Sequence, residues 1–150
     1  GLDKPGERVF IQSFSKDCLL RMKEVAPGYA RVQLIPMEGP GRDDSRKITP
    51  ALAKEIASYA RGVGPDIRMV NAGADIKTRH KAGLLVHPWT FTGLTTASAR
   101  RPLQEVQENG LTVRYHIIDD IQRFVGFDID GGFTDYPDLW RAAMGTKVTR

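Results

Sequence analysis

Cysteine is nearly absent from these 150 residues: Cys18 stands alone. One thiol can form neither an internal disulfide nor a cysteine-based metal site. Set among helix-forming residues, Cys18 is expected to be a buried structural thiol. Long hydrophobic runs are missing too. No apolar stretch approaches the roughly 20 residues that a membrane-crossing helix requires, so no span is expected. The opening Gly1-Leu2-Asp3-Lys4-Pro5-Gly6 is polar and turn-like, and reads as neither a signal nor a transit peptide. The chain also lacks any stripe of basic residues interleaved with aromatics. Its formal charge is +4, yet the cations scatter, with small groups at Arg79-His80-Lys81 and Arg100-Arg101. Scattered excess charge makes a solvated surface rather than a phosphate-tracking face, and no nucleic-acid partner is expected.

The hydrophobic content of 41% and charged content of 27% suit a folded globular domain. The length allows one domain with a sizeable core. No linker, internal repeat or low-complexity segment divides the chain, so residues 1–150 read as one unit without an internal boundary.

Strand then helix is the dominant rhythm. Arg8 to Phe14 is a short apolar run that reads as a buried strand. Ser15 can cap the next helix, whose core face is Leu19, Met22 and Ala26 and whose end is Pro27-Gly28. Ala30 to Ile35 is the second strand, stopped by Pro36. Glu38 to Lys47 reads as a loop at a strand's C-terminal end. Thr49-Pro50 opens a helix with Thr as N-cap and Pro at the first helical position. Leu52, Ile56, Tyr59 and Ala60 share one face of it. Gly62-Val63-Gly64-Pro65 reads as the break after it, and Ile67 to Val70 as a short extended segment. Asp75 can cap a short helix that ends near Gly83. A strand, Gly83 to Val86, then runs into His87-Pro88-Trp89-Thr90-Phe91. Thr92 to Arg101 reads as a loop. Pro102 to Gln107 reads as helix, and Asn109-Gly110 stops it. Leu111 to Ile117 fits either a strand or a helix face, and helix is assigned from His116 to Val125. A last strand, Phe127 to Gly132, leads to Phe133-Thr134-Asp135-Tyr136-Pro137-Asp138 and a helix from Pro137 to Met144. Four strand-helix units, with an extra helix after the second strand, make a parallel α/β pattern.

Several motifs fail on their chemistry. Gly62-Val63-Gly64 lacks the third glycine of a dinucleotide fingerprint, because Ile67 stands in its place. Asp128-Ile129-Asp130-Gly131 starts like a calcium loop, but Phe133 and Leu139 occupy the positions that need Gly and a bidentate Glu. His80, His87 and His116 lack helical ligand spacing. His87, at a strand end, is expected to hold a loop by a hydrogen bond. His80 and His116 are expected to be structural or exposed. Asp138 can cap the last helix and Asp135 can orient its loop. Trp89 sits just past a strand-ending His-Pro, the place where a parallel sheet opens into its cleft. Gln12 and Gln33 are each a lone amide near the end of an apolar strand, and a buried amide needs partners, either neighbouring strands or a ligand.

Taken in order, these segments resemble the glycerophosphodiester phosphodiesterase family, bacterial periplasmic type. Val9-Phe10-Ile11-Gln12-Ser13-Phe14 is similar to its fifth barrel strand and Val32-Gln33-Leu34-Ile35 to its sixth. Tyr59 to Pro65 resembles a connecting segment. Val86-His87-Pro88-Trp89-Thr90-Phe91 resembles the seventh strand and its exit, and Gly132 to Asp138 the eighth. The resemblance implies a (β/α)8 barrel, a fold of about 250 residues, of which this chain would be the C-terminal half, strands five to eight. It also implies hydrolysis of glycerophosphodiesters to glycerol 3-phosphate and an alcohol with a divalent cation, calcium or magnesium. The family's His-Arg-Gly and Glu-x-Asp motifs do not occur in these residues, so no catalytic residue or cation ligand is assigned here. What carries over is the pocket wall, as substrate-binding residues: Gln12, Phe14, Gln33, Trp89 and Phe133. Thr92 stands where family members often have a basic residue. The implied partners are the diester substrate and a missing N-terminal half, or another chain across the open barrel edges. The implied compartment is the periplasm or the exterior. The competing reading is a non-catalytic α/β half-barrel that pairs with another chain.

Overall fold

The computed structural model describes residues 9–37, 48–70, 73–92, 105–108, 111–114 and 116–145. The expected loops Glu38–Lys47 and Thr92–Arg101 fall almost wholly outside these. In chain order the elements are β1 (Phe10–Ser13), α1 (Lys16–Val25), β2 (Ala30–Ile35), α2 (Pro50–Ala57), β3 (Gly62–Pro65), α3 (Gly73–Lys81), β4 (Leu85–Val86), β5 (Glu105–Glu108), β6 (Leu111–Arg114), α4 (His116–Val125) and α5 (Pro137–Ala143). Strands β1-β2-β3-β4 form one sheet in that order, every pair parallel. That is the α/β architecture expected from the strand-helix rhythm.

Local chemistry sets the helix starts. The Ser15 hydroxyl accepts the Cys18 N–H at 3.2 Å, and the Thr49 hydroxyl accepts the Leu52 N–H at 3.2 Å, with Pro50 in the first turn of α2. These caps satisfy donors that an isolated helix end leaves unpaired. Leu19 is the fully buried residue of α1, and its neighbour Cys18 is exposed, contrary to the expected buried thiol. One residue along a helix turns a side chain by about 100°, which takes Cys18 off the core face.

The sheet has two unlike faces. Ile11, Ile35, Val63 and Val86 join Leu19, Ile56, Tyr59 and Ile76 in the core between sheet and helices. Full burial of such a side chain stabilises by about 1.5–3 kcal/mol; Ile11 and Ile35 are only partly buried. Val32 and Leu34 are buried on the opposite face, outside that core. There the Phe10 ring meets the His87 ring edge-on, centroids 5.0 Å apart. Phe10 lies on one edge strand and His87 just past the other, so the sheet curls around this inner face.

Several expectations are corrected. Gly62–Pro65 is no turn but the buried strand β3, hydrogen-bonded between β2 and β4. A Cβ on Gly64 would stand 2.7 Å from Leu34 Cδ2 and 3.0 Å from the His87 carbonyl oxygen, so the inner face closes here only over glycine. The supposed extra helix, α2, is therefore the crossover into β3. Ile67–Met69 is a turn of 3-10 helix rather than an extended segment, started by Asp66, whose carboxylate accepts the Arg68 N–H. Glu105–Glu108 is a strand, not helix, paired antiparallel with Leu111–Arg114. Asn-Gly between two short segments is a hairpin signal that outweighs the helical composition of Pro102 to Gln107. Phe127 to Gly132 is not a regular strand. Asp128 adopts a left-handed conformation, φ 72°, and only the stretch after it follows β4, through Asp130 N–H to the Val86 carbonyl, Phe133 N–H to the Pro88 carbonyl and a parallel bridge of Phe91 with Thr134. Helix α3 begins at Gly73, so Asp75 lies within it rather than capping it.

Gly64→Ala is expected to lower the unfolding free energy by about 1–3 kcal/mol through overpacking. A urea titration reads this as an earlier midpoint. An unchanged midpoint would mean that the inner face is not close-packed at β3.

Candidate functional site

Ligands of parallel α/β sheets bind at the C-terminal ends of the strands, because rigid strands there deliver side chains into an open mouth. In this sheet those ends are Phe14, Pro36, Asp66 and Trp89. Phe14 and Trp89, both expected wall residues, meet edge-on, with ring centroids 5.4 Å apart at 87°. Trp89 is fixed by its indole Nε1, which donates to the Gly64 carbonyl at 2.7 Å. Phe14 is 55% exposed, so one aromatic wall is braced and the other is free to cover a ligand. Gln12 lies one layer deeper on the same strand face as Phe10 and is exposed.

Gln33 sits elsewhere. Its Nε2 donates to the carbonyls of Ser13, Phe14 and Leu34 at 3.3, 3.0 and 3.0 Å, and its Oε1 accepts the Tyr59 hydroxyl at 3.0 Å. Tyr59 belongs to the helix side, so this amide fastens β1, β2 and the end of α2 together with its bonding capacity spent. The alternation of β2 puts Val32 and Leu34, not Gln33, on the inner face. Phe133 lies beside the His87 ring at 6.1 Å, on the edge stretch that pairs with Pro88 and Phe91. His87 is buried between the edges of Phe10 and Phe133. Its ring makes no hydrogen bond among the described residues, so aromatic packing replaces the expected loop-holding bond. A Cβ on Gly131 would come 3.2 Å from this ring, and glycine is what admits it.

Loop fastening is done by other groups. His80 Nε2 bonds Asp130 Oδ2 at 2.8 Å, and the same oxygen accepts the Val86 N–H at 2.7 Å. The Thr134 hydroxyl donates to the Phe91 carbonyl at 2.9 Å and accepts the Tyr136 N–H at 3.0 Å. Thr134 thus performs the orienting role expected of Asp135. Helix α5 starts from Tyr136 without a side-chain cap, so Asp138 is not its cap.

One pair at the mouth was not foreseen. Asp66 ends β3 on the inner face, buried, and its carboxylate takes Arg68 Nε at 2.9 Å and an Arg68 terminal nitrogen at 2.6 Å. Burial pushes this carboxyl up, but the Arg68 hydrogen bonds and charge, with the Met37 N–H, outweigh it and hold it below its ordinary value. The available signal is an acid-x-base triplet straight after an apolar strand, masked by the turn-like composition of Gly62–Pro65.

A cleft of about 1180 Å³ runs along the inner face, lined by Phe10, Arg31, Arg61, Leu85, His87 and Phe133 among others. Its arginines Arg31 and Arg61 lie at strand starts, away from the mouth, while Phe133 and Thr134 carry the lining along the edge stretch that pairs with Pro88 and Phe91. Among the described residues no group of three or more His, Cys, Asp or Glu could hold a metal ion, and Asp66 is committed to Arg68. No helix among the described residues is long and apolar enough to cross a membrane.

A curled parallel sheet with an aromatic mouth at its C-terminal strand ends defines a barrel-type α/β protein. Residues 3–139 match the profile of the glycerophosphoryl diester phosphodiesterase family. The chain belongs to that family. It is 30% identical over 137 residues to a glycerophosphodiester phosphodiesterase of Bacillus subtilis strain 168, covering 91% of this chain and 36% of that protein. The chain therefore spans little more than a third of this relative. The fold is similar to a solved structure from Silicibacter pomeroyi, with a TM-score of 0.61 and 23% identity over 95% of this chain and 40% of that one. It is also similar to an Oleispira antarctica phosphodiesterase solved with its product sn-glycerol-3-phosphate, with a TM-score of 0.62 and 15% identity over 97% of this chain and 44% of that one.

Burial pushes the His87 imidazole below its ordinary 6.5, and the Asp130 charge opposes this only in part. Below about pH 6.5 the unfolded chain takes up a proton that the folded chain refuses. Stability present above that pH is therefore expected to fall as pH drops towards the folded value. His87→Gln should flatten the slope in urea titrations run from pH 7.5 to 5. An equal slope in both proteins would contradict a buried neutral imidazole.

Proposed function

We propose that this chain is the C-terminal portion of a (β/α)8-barrel enzyme that hydrolyses glycerophosphodiesters to glycerol 3-phosphate and an alcohol, and that it supplies part of the pocket wall. The observation that carries this reading is the meeting of Phe14 and Trp89 across the C-terminal strand ends, in a chain whose family match spans residues 3–139. Aromatic walls there exclude water and hold a substrate in position, which lowers the entropic part of a barrier. Gln12 would reach the same mouth from one layer below, and Phe133 would bound it near the edge segment. Gln33 would act only through the strands it joins.

The family resemblance implies strands five to eight. Counting β3 and the edge stretch Asp130–Thr134, the chain would supply five strand positions, so it would begin one strand earlier. The outer edges of β1 and of the edge stretch would then pair with strands from the rest of the protein, since a barrel leaves no free edge. The divalent cation, calcium or magnesium, would be held by residues outside these 150 and would stabilise charge on the phosphoryl oxygens when bound. Periplasmic or secreted placement follows from the family resemblance alone.

The isolated chain is expected not to hydrolyse glycerophosphocholine with added calcium or magnesium, and to gain turnover when the N-terminal portion is supplied. In that active form Trp89→Ala should lower kcat/KM by roughly tenfold or more while the thermal midpoint changes little. Turnover by the isolated chain would place acid/base groups within it. No turnover in either form would remove the phosphodiesterase reading.

A further inference from the structure

The Asp66–Arg68 pair is built unlike a surface ion pair. The Asp66 side chain is 5% exposed while that of Arg68 is 50% exposed. The buried partner is tied at several points. Its backbone N–H donates to the Ile35 carbonyl at 2.9 Å, it bridges to Trp89 in parallel, and its carboxylate accepts the Met37 and Arg68 backbone N–H groups. Both of its oxygens then engage one edge of the guanidinium, at 2.9 and 2.6 Å. A guanidinium carries five N–H donors in a rigid plane. Two of Arg68's point at Asp66, and the other three, on the remaining edges of the plane, have no partner among the described residues. The plane cannot swing, because its held edge is bidentate.

Position adds the second observation. Asp66 continues the inner-face alternation of Gly62 and Gly64, and Gly64 lies against the Trp89 ring, its would-be Cβ 3.4 Å from Trp89 Cδ1. Asp66, which braces the guanidinium, therefore ends its strand at the rim, bridged to Trp89. An exposed ion pair alone contributes little to stability, whereas a half-exposed, oriented guanidinium beside an aromatic mouth suits a phosphate or phosphodiester oxygen. We propose that Arg68 is an anion-binding residue of the mouth, receiving a phosphoryl oxygen of the ligand, and that Asp66 is the positioning residue that aims it. This rests on the phosphodiester reading for the identity of the ligand, but not for the existence of an anion site.

The test is calorimetric titration of the chain with inorganic phosphate and with glycerol 3-phosphate, repeated on Arg68→Gln, Arg68→Lys and Asp66→Asn, with thermal unfolding run in parallel. Arg68→Gln is expected to weaken both ligands by about ten- to a hundredfold, the loss typical of a charge-assisted hydrogen bond. Arg68→Lys should recover only part of this, since an ammonium lacks the planar fork. Asp66→Asn should also weaken binding although the cation is kept, which a purely electrostatic surface would not show. Should Asp66→Asn unfold, the Arg68→Gln and Arg68→Lys comparison decides alone. Phosphate binding that depends on Arg68, with glycerol 3-phosphate binding no better, upholds the anion site and removes the phosphodiester reading. Glycerol 3-phosphate binding that is equal in wild type and Arg68→Gln overturns the proposal and leaves that reading standing. Absence of binding by either ligand to the wild-type chain overturns the proposal.

Discussion

Everything at the mouth depends on the absence of side chains along the inner face of β3. Gly64 lets Leu34, the His87 backbone and the Trp89 ring approach the same point, and its carbonyl then receives the Trp89 indole N–H. A larger residue would push β4 away from β2 and release the indole. The same strand carries its first inner-face side chain only at Asp66, so the polar group appears at the rim and not in the packed layer below. Packing and placement are thus set by one sequence feature, Gly-x-Gly before an acid.

The two faces of the sheet use buried polarity differently. On the helix side, Gln33 and Tyr59 satisfy each other and three strand carbonyls, which makes their burial tolerable and joins elements that have no covalent link nearby. On the inner side, His87 is held by ring edges, and Asp130 gathers His80 and the Val86 N–H beneath it. These groups fix the stretch that leads to Thr134 and so define where the sheet ends. The mouth, by contrast, keeps an exposed ring at Phe14 and a half-exposed guanidinium at Arg68.

Elements bounded by strong local signals were legible in the sequence. Ala30–Ile35 lies between Pro27-Gly28 and Pro36, Thr49-Pro50 starts α2, and the apolar face of Ile117, Ile121 and Phe124 gave His116–Val125. Strand β3 was not legible, because two glycines and a proline in four residues have the composition of a turn, and only pairing on both sides makes them a strand. The site suffered for that: with β3 missed, Asp66 and Arg68 had no strand end to sit on. Gln12 and Gln33 looked alike from the sequence. The register pairs Gln33 with Ser13, not with Gln12, and that offset of one residue sends the two amides to opposite faces. Phe14 and Trp89, expected as wall residues from their places just past strand ends, meet edge-on there.

The central claim is that ligand meets this chain at the C-terminal strand ends and not in the arginine-lined part of the cleft, at their starts. Amide hydrogen exchange with and without glycerol 3-phosphate tests it most directly. The account expects added protection in peptides covering Phe14, Asp66–Arg68 and Trp89, with no change around Arg31 and Arg61. Protection confined to Arg31, Arg61 and Arg141 would place the ligand at the opposite end of the sheet and contradict it.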